Sequence, residues 1–261
     1  MDQLIVLAIG LGIGLISGFL GLGGGALIVP LLPIAAPMAQ VEVIATSLFT
    51  ILLVVVNNTI SFHRKKLVSW KFALVMGPLT AVTAFASARF AIGLSDQQLR
   101  LILAVVLLVI GIRTGLKKIQ SKNQIEHKIE PRVYFWICFW SLFAGALSGL
   151  TGIGAGLVLS AILINFQLIA NEKLSPTSNA VMCFTTSAGI LAYIVGAHID
   201  WSTWRLGLVH LDKVLILFLG ATITSQYARK KQHLIAEGLR KKILVGLLIL
   251  LSVKVFVTAL T

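Results

Sequence analysis

The stretch Ser17-Gly18-Phe19-Leu20-Gly21-Leu22-Gly23-Gly24-Gly25 returns 131 positions later as Ser148-Gly149-Leu150-Thr151-Gly152-Ile153-Gly154-Ala155-Gly156. The same offset, without a gap, pairs Thr46-Ser47 with Thr177-Ser178 and Trp70 with Trp201. Glycine-rich low complexity accounts for the first match alone, but not for a register held as far as a tryptophan. Two homologous halves follow: a first repeat over 1–116, a polar linker over 117–131 and a second repeat over 132–261. Internal duplication of this kind is common in secondary transporters.

Both glycine stretches lie in apolar surroundings. Of 261 residues, 57 % are hydrophobic and 12 % charged, and mean hydropathy is +0.97. A soluble chain is about one-quarter charged, so lipid has to cover much of this one. The composition excludes disorder, collagen and a disulfide scaffold. The net charge of +13 does not indicate nucleic acid. Its basic residues sit in short blocks between apolar runs (Arg64-Lys65-Lys66, Arg113 to Arg132, Arg229 to Lys242), the pattern that orients membrane proteins. Cys138 and Cys183 lie in apolar runs without a CxxC partner, and read as small buried hydrophobes. The N-terminus is apolar from Leu4 without a basic n-region, and reads as part of the mature protein.

A spanning helix needs about 20 apolar residues. Six runs qualify: 42–62, 69–91, 98–116, 176–197, 205–228 and 239–260. Two longer runs, 4–37 and 133–169, are each broken near the middle by glycine. If each broken run were one full span, the fold would have eight spans and parallel halves. Nine Lys and Arg would then lie on one face and most of the other thirteen on the opposite face, almost no bias. If each is a re-entrant hairpin, the second half is inverted. Seventeen basic residues then collect on one face, against Arg89, Arg100, Arg205 and Lys254 on the other, with Lys213 inside a span. That is a positive-inside asymmetry. The first hairpin's arms, about 25 Å and 20 Å at 1.5 Å per residue, fall short of a ~30 Å hydrocarbon core. The expected fold is therefore an all-α polytopic membrane protein of six spans plus two re-entrant hairpins, both termini outside.

The breaks carry the chemistry. A helix interrupted at membrane depth leaves backbone N–H groups unpaired, and these must be satisfied or line a polar cavity. Helices starting near Ala26 and Leu157 point partly positive N-terminal ends into that depth, and glycine lets an anion approach the amides. The expected anion site comprises Gly21, Gly23, Gly24 and Gly25 with Gly152, Gly154 and Gly156, joined by the hydroxyls of Thr46, Ser47, Thr177 and Ser178 and by Asn179. The same features have structural readings: glycine as close helix packing, which suffices for Gly10 with Gly14 and Gly145 with Gly149, and Ser or Thr as caps. Asn57 and Asn58 line a path or bond between helices. His210 and Asp212, two turns into the run 205–228 beside Lys213, are candidates for carrying a coupling proton. If that span begins later, they are ordinary interface residues. Lys254 snorkels. There is no HExxH, GxSxG, P-loop or acidic cluster, so neither an enzyme nor a metal or cofactor site is expected.

Gly18 to Gly25, Val29-Pro30 and Ala45-Thr46-Ser47 resemble the signature of the TauE/SafE sulfite exporter family, and Gly149 to Gly156, Pro176-Thr177-Ser178 and His198-Ile199-Asp200-Trp201 resemble its second half. The resemblance covers essentially the whole chain. It implies a multi-pass cell-membrane transporter, often assigned seven or eight spans, for sulfite, thiosulfate, organosulfonates or their breakdown products. Two departures distinguish the halves: Ala155 stands opposite Gly24, and Ser160-Ala161 opposite Val29-Pro30. An anion channel and a non-transporting membrane assembly protein are the other classes the residues admit. The anion, the direction of flux, a coupling proton or sodium ion, and the oligomer are not legible.

Overall fold

A computed structural model describes residues 2–20, 25–116, 131–165, 169–195, 199–200, 204–230 and 237–260. Gly21, Gly23, Gly24, the linker over 117–130, His198 and Trp201 lie outside the described residues. The helices are α1 (Asp2–Leu20), α2 (Gly25–Ala35), α3 (Gln40–Arg64), α4 (Trp70–Ile92), α5 (Asp96–Leu116), α6 (Pro131–Thr151), α7 (Gly156–Asn165), α8 (Asn171–Ile194), α9 (Leu211–Lys230) and α10 (Glu237–Leu260). Three two-residue strands, β1 (Ile199–Asp200), β2 (Arg205–Leu206) and β3 (Val209–His210), pair antiparallel in sequence order ahead of α9. Five helices among the described residues are long and apolar enough to cross a membrane: α3, α4, α5, α6 from Val133, and α10. Their outward residues are apolar, Val82 and Leu250 being 68 % and 64 % exposed, a surface only lipid suits. The architecture is that of an all-α, multi-pass membrane protein.

Local chemistry places the ends. Ser95 and Gln98 form a reciprocal capping box at the start of α5, with Ser95 N–H donating to Gln98 Oε1 at 3.0 Å and Gln98 N–H to Ser95 Oγ at 3.3 Å. Pro30 and Pro33 inside α2 each remove an N–H, which suits a helix of 11 residues, about 16 Å long. α1 and α6, at 19 and 21 residues, reach about 28 Å and 31 Å.

The run expected as a span over 205–228 is corrected: its helix begins at Leu211. The apolar residues Leu206, Leu208 and Val209 belong to a tight hairpin that turns at Gly207, φ +60°, so they continue the hydrophobic run without continuing the helix. His210 is the last strand residue, and Asp212 and Lys213 sit in the first turn of α9 rather than two turns inside a span. Helix starts stand 131 residues apart for Gly25 and Gly156, and for Gln40 and Asn171, but 141 apart for Trp70 and Leu211. The hairpin of β2 and β3 lies within the extra ten positions.

Glycine contacts fix the helix directions. α1 runs parallel to α9, with Gly10 against Leu217 and Gly14 against Ala221. α6 runs parallel to α4, with Gly145 against Thr80 and Gly149 against Ala84 and Ser87. Here the small side chains let backbones approach. α4 and α8 are parallel, Ser69 meeting Thr177 and Arg89 meeting Ala192. α3 is antiparallel to α8, with Leu48 at Gly189 and Asn58 at Asn179. α5 is antiparallel to α10, with Ser252 Oγ donating to Ala104 O at 2.8 Å and Arg100 Nη1 to Thr258 O at 3.0 Å.

Candidate functional site

The interruption between α6 and α7 is built by left-handed backbone. Gly152 has φ +69° and Gly154 φ +80°, a region costing a residue with a Cβ about 1–2 kcal/mol. Gly152 N–H donates to Ser148 O at 2.9 Å and closes α6. Ile153 N–H reaches Thr151 Oγ1 at 3.4 Å. The next three amides, of Gly154, Ala155 and Gly156, donate to no acceptor among the described residues. They open α7, whose aligned peptide dipoles put partial positive charge there, and Ala155 is 1 % exposed. Buried N–H groups at a helix start are the donors an anion needs. Gly25, the first residue of α2, lies against the Ile153 carbonyl and Ile51, so the two short helices begin side by side. Met182 of α8 lines the same break, touching the positions of Gly154 and Gly156.

Of the expected hydroxyl residues, Ser47 and Ser178 bond to the second break, and each of the four has a protein partner. Ser47 Oγ donates to Gly152 O at 2.9 Å and Ser178 Oγ to Gly156 O at 3.2 Å. Both fix the carbonyls that flank the free amides. Thr46 Oγ1 accepts from His210 N–H at 3.2 Å, and Thr177 Oγ1 accepts from Ser69 N–H at 3.0 Å. His210 immediately precedes α9, and Ser69 immediately precedes α4. Each threonine therefore caps from a distance a helix of the other half of the chain, Thr46 of α3 the start of α9 and Thr177 of α8 the start of α4. Asn179 is 7 % exposed; its Nδ2 donates to Ser175 O at 2.8 Å, and its Oδ1 accepts from Asn58 Nδ2 at 3.3 Å. Asn57 is exposed and turned away from that pair.

Replacing either threonine by valine removes the acceptor and leaves a backbone N–H unpaired. Thr46→Val and Thr177→Val are each expected to cost about 1–3 kcal/mol, read as lowered thermal midpoints of the detergent-purified protein. Similar losses for the two would match their equivalent bonds.

The side chains of His210 and Asp212 bond to neither break and lie at the end of the bundle where α3 and α5 begin. His210 is 8 % exposed, and its Nε2 lies 3.5 Å from Glu42 Oε2. Arg205 Nη1 lies 3.4 Å from the other carboxylate oxygen, and Lys213 Nζ 3.0 Å from Asp212 Oδ2. Burial foremost, then the Arg205 charge, holds His210 below the ordinary imidazole range against the opposing pulls of Glu42 and Asp212. Glu42 and Arg205 were not among the residues expected here. The signal for Glu42 was its place one turn before Thr46 on the same face of α3.

A family model described as sulfite exporter TauE/SafE matches residues 6–255. A probable membrane transporter protein of Haemophilus influenzae is 28 % identical over 257 residues, 92 % of this chain and 90 % of that protein. A probable membrane transporter protein of Methanocaldococcus jannaschii is 26 % identical over 235 residues, 87 % of this chain and 85 % of that protein. No solved structure matches.

Proposed function

The chain belongs to the TauE/SafE sulfite exporter family, and we propose that it is a secondary transporter exporting small sulfur-containing anions (sulfite, thiosulfate or organosulfonates) across the cell membrane. The observation that carries this reading is the run of amides Gly154, Ala155 and Gly156, without an acceptor among the described residues and buried at the first two, at the start of a short helix inside an apolar bundle. They offer an anion hydrogen bonds and a favourable dipole without a buried lysine or arginine. Gly21, Gly23, Gly24 and Gly25 supply the corresponding half of the site, and Ser47 and Ser178 hold the break in shape.

The helix directions support the hairpin topology over eight parallel spans. α1 runs alongside α9 away from the end where α3 begins, and α2 returns to that end, where Pro30 O accepts from Lys254 Nζ at 2.7 Å. α6 and α7 make the same excursion from the end carrying Lys173. Every helix of residues 131–260 is then reversed relative to its counterpart in residues 2–116, and the basic blocks share one end. That supports two inverted repeats with the site between them, the geometry in which rocking exposes one site to each side in turn. Because α1 packs on α9 and α6 on α4, the rocking bodies exchange their hairpin arms.

Uptake of ³⁵S-labelled sulfite and thiosulfate into proteoliposomes tests the reading, against empty liposomes and Gly24→Leu. Saturable flux with counterflow, abolished by the substitution, is the expected result. Flux that never saturates and shows no counterflow would make the protein an anion channel. No flux of either anion, and no ligand-dependent rise in thermal midpoint across sulfite, thiosulfate and organosulfonates, would leave a non-transporting membrane protein.

A further inference from the structure

The junction of α3, β3 and α9 holds an ionisable cluster outside the anion site. Its charges balance only while His210 is neutral. Glu42 of α3 is shared between Arg205 of β2 and His210 of β3, at 3.4 Å and 3.5 Å. Asp212 of α9 is taken by Lys213 at 3.0 Å. Two carboxylates thus face two fixed cations, and His210 Nε2 is buried without a hydrogen-bond partner. A proton on that nitrogen adds a third cation where both carboxylates are already taken, on a side chain only 10 % exposed. The imidazole is therefore easier to protonate where the junction is open and hydrated, and by linkage protonation favours the open form. Burial and Arg205 push the titration in the direction this charge count requires.

The junction is also where an opening would matter. His210 N–H is held by Thr46 at 3.2 Å, and the next residue, Ser47, holds the Gly152 carbonyl of the break at 2.9 Å. We propose that this junction is a proton-operated latch: a proton taken up at His210 Nε2 from the side opposite the basic loops releases β3 and the start of α9 from α3, opening that end of the path to the break. As a device of the transport cycle it rests on the transporter reading. As a proton-binding site it does not.

Amide hydrogen exchange of the intact protein in nanodiscs, corrected for intrinsic chemical exchange, tests the site without any substrate. Between about pH 7.5 and pH 5.5, bracketing the ordinary imidazole value of about 6.5, protection of segment 205–214 is expected to fall in the wild type and to stay constant in His210→Gln. Glu42→Gln removes the shared carboxylate and is expected to expose the segment at both values. The paired flux measurement uses thiosulfate, which stays a dianion over this range. Its counterflow should accelerate on acidification in the wild type and lose that pH dependence in His210→Gln. Protection independent of pH in the wild type, or an unchanged pH response in His210→Gln, overturns the latch. Loss of protection as expected, with no thiosulfate or sulfite flux in any variant, sinks the transporter reading and leaves the proton site standing.

Discussion

Vesicles carrying Gly154→Leu are expected to show no more ³⁵S-thiosulfate uptake than empty ones. The reason is local. At φ +80° any Cβ is strained, by about 1–2 kcal/mol. A Cβ here would also stand 2.7 Å from Met182 Cε, and leucine's further carbons add overpacking of about 1–3 kcal/mol. Relief of that crowding moves the backbone that presents the free amides. Gly154→Ala separates the two costs, because Met182 Cε is the far end of a flexible side chain. Alanine keeps the strain and needs only a small retreat of Met182, so part of the flux should survive. Adding Met182→Ala should restore packing but not the strain, leaving a thermal midpoint still below wild type. Full wild-type flux in Gly154→Leu would remove the second break from the mechanism.

The second large effect is expected at Gly25, where even alanine is too big. Ordinarily Gly→Ala within a helix stabilises by about 1 kcal/mol. Here the added Cβ meets the Ile153 carbonyl, a backbone group, and Ile51. Trimming a side chain does not move a carbonyl, so α2 must back away from the second break. Gly25→Ala is therefore expected to reverse the usual sign, lowering the thermal midpoint and abolishing saturable flux, and Ile51→Ala should not rescue it. Recovery of flux in the double variant would show that Ile51, and not the contact between the two breaks, is what glycine accommodates there.

These two positions mark what could be read in advance. Glycine at an interruption is legible because left-handed backbone and backbone-on-backbone contact both demand it, and Gly152, Gly154 and Gly25 are such places. The helix ends of α3, α4, α5 and α10 were legible within about two residues, because apolar length and flanking charge suffice when a helix faces lipid on one side. The start of α9 was not. Leu206, Leu208 and Val209 are as apolar as the helix they precede, and hydropathy does not register the turn at Gly207. That error carried His210 and Asp212 two turns too deep. The hydroxyl partners were illegible for a different reason: Ser47 bonds to a carbonyl 105 residues away and Thr46 to an amide 164 away. Such pairings depend on which helices become neighbours, and periodicity carries no information about that. The cluster at Glu42 was missed likewise, since its partners Arg205 and His210 lie on a hairpin that composition reads as membrane span.

The crossed pairing of hairpin arms bears on how the protein is made. α1 leaves the ribosome well before its main neighbour α9, some two hundred residues later. Until α9 is inserted, the face of α1 bearing Gly10 and Gly14 has only lipid against it. Closing so long a loop is slow, so the emerging first half is expected to be an open, protease-sensitive intermediate rather than a finished domain. Cutting the gene in the polar linker after residue 116 should yield two fragments that are each degraded when expressed alone and accumulate only when expressed together.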